Sequence, residues 1–238
     1  MLRTPEEKSE ILSRLQPSES IAGVVSSDVR QMLLDVYHNS PDKIEKNTGP
    51  TVLDYDPNKN GWPEWARTVD ELITPYIGEH QIYFANFFDV TYPHRIHNDD
   101  SIKKKPRMHK NCVIPLWIEG AEHTHFATFD QCYLDGPVKV VHGADKQKIM
   151  ASTKYYNEPL TDTAELEYYT GKDFDEVLWE KYFTHQGLNR FHGLSVEGML
   201  KWQPGNLLIF DGARIHCAAD FRKVGVTRKI GLSVFTCI

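Results

Sequence analysis

The chain has 238 residues, of which 40% are hydrophobic, 25% charged and 11% aromatic, with a formal net charge of -6. That length suffices for one domain with a full hydrophobic core, and the negative balance argues against a general nucleic-acid binder. No apolar run approaches the roughly 18 residues of a membrane span, and the opening "MLRTPEEKSE" lacks the basic-then-apolar pattern of a secretory leader. A cytoplasmic protein is the expectation. Cys112, Cys132, Cys217 and Cys237 form no C-x-x-C pair and no zinc-ribbon spacing, which fits reduced thiols used for packing.

Residues 1–80 read as helical. Thr4-Pro5-Glu6-Glu7 is a capping-box start with proline at the first helical position. A second helix is expected across "DVRQMLLDVY", where Val29, Met32, Leu33 and Val36 recur at helical spacing. Residues 39–62, rich in Pro, Asn, Asp and Gly, read as a long surface loop. A third helix, "WARTVDELITPYI", places Val69, Leu72, Ile73 and Tyr76 on one face.

From residue 81 the pattern changes to short runs of β-branched and aromatic residues: "QIYFANFFDV" (81–90), "CVIPLWIEG" (112–120), "THFATFDQCYL" (124–134) and "VKVVHG" (138–143). Residues 150–192 interrupt it with one expected helix around "DFDEVLWEKYF". They are expected to act as a mobile lid or substrate-recognition element. Strand character returns in "GMLKW", "NLLIF" and "RKIGLSVFTCI". The simplest architecture is one domain over 1–238, mainly β with α. Helical support from 1–80 packs on a double-sheet antiparallel jelly-roll core over 81–236.

The densest chemistry lies in "YPHRIHNDD" (92–100), where His97 and Asp99 form an H-x-D pair. At the end of the strand that begins at Gln81, alternation would send both side chains to one face. His94, five residues from Asp99, reads as a supporting or surface histidine. A third ligand appears in "WQPGNLLIFDGARIHCAADF", where His216 follows a proline-glycine turn and an apolar strand. Two imidazoles and one carboxylate make the facial triad that holds iron(II) with open positions. Arg228, at the start of the last strand, has a guanidinium fork suited to a carboxylate.

The order H-x-D, long gap, "PGNLLIFDG", distal His, then Arg resembles the iron(II)- and 2-oxoglutarate-dependent oxygenase superfamily over about residues 81–236. The resemblance implies a double-stranded β-helix (jelly-roll) fold with Fe(II) held by His97, Asp99 and His216. It further implies that Arg228 binds the distal carboxylate of the cosubstrate 2-oxoglutarate, with Asn86 as another cosubstrate contact. One branch pairs that asparagine with a tyrosine, where this chain has Phe88. The implied activity is a dioxygenase that hydroxylates a small-molecule or peptide substrate and releases succinate and CO2. The run "KKKPR" (103–107) reads either as a solvated loop or as a basic rim that draws in an anionic substrate. The sequence specifies neither the primary substrate nor the oligomeric state. Two alternatives stand beside this reading. One is a cupin-type metal-binding jelly roll built on His123, His125 and Asp130. The other is a non-catalytic jelly-roll binding module whose histidines are structural.

Overall fold

The structure, a computed structural model, describes residues 4–44, 51–99, 108–132, 134, 174–191 and 193–238. Helix α1 (Pro5–Ser13) starts at Thr4 with both arms of the capping box: the Glu7 amide donates to Thr4 Oγ1 at 3.2 Å, and the Thr4 amide to Glu7 Oε2 at 2.7 Å. A short strand, β1 (Glu19–Ile21), precedes α2 (Ser27–Asn39), which is capped by Ser26. The stretch read as surface loop contains β2 (Thr51–Tyr55) and the single turn α3 (Pro57–Asn60). In β2, Val52, Leu53 and Tyr55 are buried. The strand is specified by its remote partner rather than by its turn-rich flanks, so local composition hides it. Helix α4 (Glu64–Ile77) buries Ala66, Val69, Ile73 and Ile77, while Tyr76 is 45% exposed. The buried stripe therefore closes on Ile77, four residues past Ile73, as helical geometry requires.

Seven further strands follow: β3 (Gln81–Val90), β4 (Met108–Glu119), β5 (Thr124–Cys132), β6 (Val196–Trp202), β7 (Leu207–Asp211), β8 (Arg214–Ala218) and β9 (Arg228–Cys237). Helix α5 (Glu176–Tyr182) lies between β5 and β6. The large sheet has the order β1-β7-β4-β9-β3-β2 and the small sheet β6-β5-β8, with every pairing antiparallel.

Strand alternation assigns each face. Ala85, Phe87, Cys112, Ile114, Leu116, Ile230, Leu232 and Val234 pack with Leu33 of α2 and Val69 and Ile73 of α4 in one core, the layer between helices and large sheet. The opposite faces supply Val113, Leu208 and Phe210 from the large sheet and Phe126, Leu200 and Trp202 from the small one, with Phe88 and Ile118 against them. These residues form the interior of the jelly roll. Outside the small sheet, Ala127, Phe129, Ile215 and Cys217 meet an aromatic cluster of Phe174, Phe183 and Phe191, together with Ile96. The described part of the expected lid, 174–191, thus buttresses the small sheet. The remainder of that segment, the expected strand at 138–143 and the basic run at 103–107 lie outside the described residues. All four cysteines are free and buried, and burial pushes the Cys112 and Cys132 thiols up to about 12. Among the described residues, no helix is long and apolar enough to cross a membrane.

Candidate metal centre

Strand β3 ends at Val90, and the chain from 91 to 99 crosses toward the small sheet instead of continuing as strand. His97 and Asp99 therefore share a loop, not the end of β3 as expected. That loop is fixed at several points. The His97 amide donates to the His216 carbonyl at 3.0 Å and the His216 amide to the His97 carbonyl at 2.8 Å. The Ala218 amide reaches the His94 carbonyl at 3.2 Å, and the Ile96 amide donates to Gln186 Oε1 at 3.0 Å. The Ile96 side chain, 1% exposed, is buried in the aromatic cluster behind β8.

On β8, Ile215 and Cys217 point into that cluster, so alternation turns His216 inward. Its ring packs against Phe210 and Phe126, with centroids 4.7 and 5.2 Å away. The ring of His97 lies 4.2 Å from it, centroid to centroid. His97 Nε2 is 3.5 Å from Asp99 Oδ1, and His216 Nε2 is 3.2 Å from Asp99 Oδ2. Cis ligands at about 2.1 Å around one ion lie roughly 3 Å apart, so these spacings suit a shared cation. Among the described residues, this is the one group of three or more His, Cys, Asp or Glu side chains whose ligand atoms converge, all within 4.8 Å.

Tautomers sharpen the case for a cation. His97 Nδ1 lies 2.7 Å from the Arg95 carbonyl, and His216 Nδ1 lies 2.9 Å from the Arg214 carbonyl. Each imidazole therefore faces an acceptor at both nitrogens, a carbonyl at Nδ1 and Asp99 at Nε2. Only an imidazolium could donate to both. Burial, followed by the neighbouring His97, pushes the His216 ring down and disfavours that form, against the pull of Asp99. Burial would raise Asp99, but the charges and hydrogen bonds of His216 and His97 outweigh it and hold the carboxyl well below its usual range. A divalent cation among the three groups resolves the conflict. Neutral rings then keep Nδ1–H on their carbonyls and turn the Nε2 lone pairs toward the ion, beside an ionised Asp99. The donor set fits Fe(II).

The register of β9 separates two basic neighbours. Arg228 shares the outer face with Ile230, Leu232 and Val234. Its Nε and Nη2 donate to Asp89 at 2.8 and 2.5 Å, and Tyr37 Oη donates to the same carboxylate at 3.0 Å. Arg228 is exposed on that outer face and already paired with a carboxylate of the chain. Lys229 faces the other way and is 3% exposed. Its Nζ lies 4.6 Å from the Trp202 ring centroid and 5.0 Å from that of Phe221. Burial alone pushes its ammonium down to about 7, and no carboxylate among the described residues pulls it back up. Trp202 belongs to the same interior core as Phe126 and Phe210, the two rings against His216. Lys229 and His216 therefore both pack against this interior core.

Asn86 is on the same face of β3 as Phe88, but its Nδ2 donates to Asp54 Oδ1 of the edge strand β2 at 3.1 Å. That amide donor is thus paired within the sheet. His123 and His125 pack edge to face at 5.5 Å, and His125 meets Tyr182 at 5.5 Å. They and Asp130 form no converging ligand group among the described residues, so the cupin-type set is not assembled. Two further residues bear on the site and escaped sequence reading: Lys229, and Asn111 of β4, whose Nδ2 donates to Asp99 Oδ2 at 3.0 Å. Lys229 had a signal. The apolar positions 230, 232 and 234 alternate with Gly231 and Ser233, which places 229, not 228, opposite the helix-facing side. Asn111 had none.

No protein-family model matches the sequence, and no curated protein does. Solved structures do. SnoK, a non-heme α-ketoglutarate-dependent carbocyclase from nogalamycin biosynthesis, superposes with a TM-score of 0.52 at 10% identity, covering 99% of this chain and 84% of its own. EctD from S. alaskensis, in its apoform, gives 0.51 at 11% identity, covering 99% and 77%. HygX from Streptomyces hygroscopicus, with nickel and 2-oxoglutarate bound, gives 0.50 at 14% identity, covering 99% and 87%. Over nearly its whole length, the chain carries the double-stranded β-helix fold of the non-heme 2-oxoglutarate-dependent oxygenases.

Proposed function

We propose that this protein is an iron(II)- and 2-oxoglutarate-dependent dioxygenase that hydroxylates a small-molecule or peptide substrate, with release of succinate and CO2. The observation that carries the reading is a pair of unlike binding elements packed against one interior core. One is the convergent His97, Asp99 and His216 set, and the other is a buried ammonium, Lys229, with no carboxylate partner among the described residues. A metal triad alone would suit many chemistries. A buried cation without an anionic partner would suit one carboxylate of a dicarboxylate cosubstrate. SnoK is α-ketoglutarate dependent and HygX holds nickel with 2-oxoglutarate, which supports the same cofactor pair here.

In this reading, bound Fe(II) supplies the oxidative chemistry by activating dioxygen at the expense of 2-oxoglutarate. The chain supplies geometry. The backbone carbonyls of Arg95 and Arg214 fix the two imidazoles as Nδ1–H tautomers. Asp99 would provide the anionic ligand, and Lys229 would take a carboxylate of the cosubstrate, the role expected of Arg228. Phe126, Phe210, Trp202 and Phe88 exclude water from the space between.

Anaerobic titration with Fe(II) and 2-oxoglutarate, followed by visible absorption, tests the reading. A metal-to-ligand charge-transfer band is expected, lost in Asp99→Ala and kept in the His123→Ala, His125→Ala double variant. Absence of the band in the native protein would favour a binding module without oxygenase chemistry. Loss in the double variant with retention in Asp99→Ala would restore the cupin-type site.

A further inference from the structure

Asn111 is 2% exposed and lies on the interior face of β4, between Phe210 of β7 and Phe235 of β9. Its Nδ2 donates to Asp99 Oδ2 at 3.0 Å. Its Oδ1 is fully buried and finds no donor among the described residues. A buried acceptor left unpaired costs about 1–3 kcal/mol, so leucine, of similar shape, would be cheaper to bury here. Stability does not account for an amide at this position. Its one hydrogen bond does.

Asp99 presents both oxygens to the imidazoles, Oδ1 toward His97 and Oδ2 toward His216. A carboxylate so placed can bind a cation through one oxygen or through both. The choice matters for the proposed reaction. Three protein ligands leave three of six positions open only if the acid uses a single oxygen. Two of those positions are needed for a chelating cosubstrate and one for dioxygen. We propose that Asn111 is a positioning residue that makes Asp99 a one-oxygen ligand. It occupies a lone pair of Oδ2, fixes the plane of the carboxylate, and so preserves the third open position. This rests on the iron and 2-oxoglutarate reading, and concerns the count of open positions rather than the identity of the ligands.

The test uses Mn(II), which reports its bound water through water-proton relaxation and needs no turnover. Native protein, Asn111→Leu and Asn111→Gln are each loaded with Mn(II). Affinity, relaxation enhancement per bound ion and melting temperature are then measured. Asn111→Leu should lose about a third of the enhancement, one exchangeable water in three, and bind Mn(II) roughly 10- to 100-fold more weakly, without a lower melting temperature. Asn111→Gln keeps a donor and should recover most of both. Native enhancement per bound ion in Asn111→Leu, whatever its affinity, would overturn the inference while leaving the metal site standing. Failure of the native protein to bind Mn(II) would overturn both. If Asn111→Leu does not fold, Asn111→Ala is read against the same two outcomes.

Discussion

Replacing Lys229 by methionine should move two quantities in opposite directions. The side chain is 3% exposed, and its ammonium falls from the ordinary 10.5 to about 7 through burial alone. A lysine depressed in the folded state binds fewer protons there than in the unfolded chain. Its presence therefore destabilises the fold most below pH 7, where it is charged in both states, and the penalty fades as pH rises from about 7 to 10.5. The full shift corresponds to about 5 kcal/mol. Relaxation of the long side chain recovers part of that, so a gain of about 2 kcal/mol, or roughly 4–8 °C in Tm at pH 6, is expected for Lys229→Met. Cosubstrate binding should suffer instead. Losing one partner of a buried ion pair costs about 2–5 kcal/mol, which weakens 2-oxoglutarate binding about 30-fold or more. Calorimetry of the Mn(II)-loaded protein with 2-oxoglutarate, beside thermal melts without it, measures both. A Tm that drops while 2-oxoglutarate affinity stays native would show that Lys229 packs the core and holds no ligand.

Three further outcomes follow from the same geometry. Native 2-oxoglutarate affinity should fall as pH rises above about 7, because the dianion binds the protonated lysine and binding takes up a proton; affinity flat from pH 6.5 to 8.5 would contradict this. Arg228→Ala removes a two-pronged pair with Asp89, whose own side chain is only 9% exposed, and should cost about 1–3 kcal/mol of stability, with 2-oxoglutarate affinity within about twofold of native in the same calorimetric assay. Gly231→Ala places a Cβ 2.5 Å from Phe88 Cζ, so the ring must move, and a loss of Tm with weakened 2-oxoglutarate binding is expected.

Much of the fold could be read because it is encoded locally. The Thr4 capping box, the α4 stripe and the alternating runs of β3 and β9 each carry their own signal. Strand β2 does not, since five residues between turn-formers gain their identity only from pairing with β3. The same divide runs through the site. His97, Asp99 and His216 stood out as metal-capable residue types in a familiar order, and the fold brings them within 4.8 Å. The choice between Arg228 and Lys229 turns on one residue of register, and a one-residue step in a strand reverses every side chain. Guanidinium chemistry favoured Arg228, whereas the apolar alternation at 230, 232 and 234 pointed to Lys229. Asn111 was out of reach because its role depends on one hydrogen bond between segments that nothing in the sequence links.

The paired backbone of His97 and His216 also bears on how long the molecule survives in a cell. An ion held there would join the loop after β3 to β8, closing the ring of chain from one histidine to the other and enclosing β4 through β7. A ligand that binds only the folded state adds about 2.7 kcal/mol at a hundredfold excess over its dissociation constant. In the proposed enzyme, iron scarcity would therefore do more than idle the active site. Loss of the ion would lower the cost of opening the loop that seats Ile96 and the Gln186 contact, and so raise the exposure of the aromatic cluster to proteases. Iron supply would then govern the abundance of the protein as well as its turnover number.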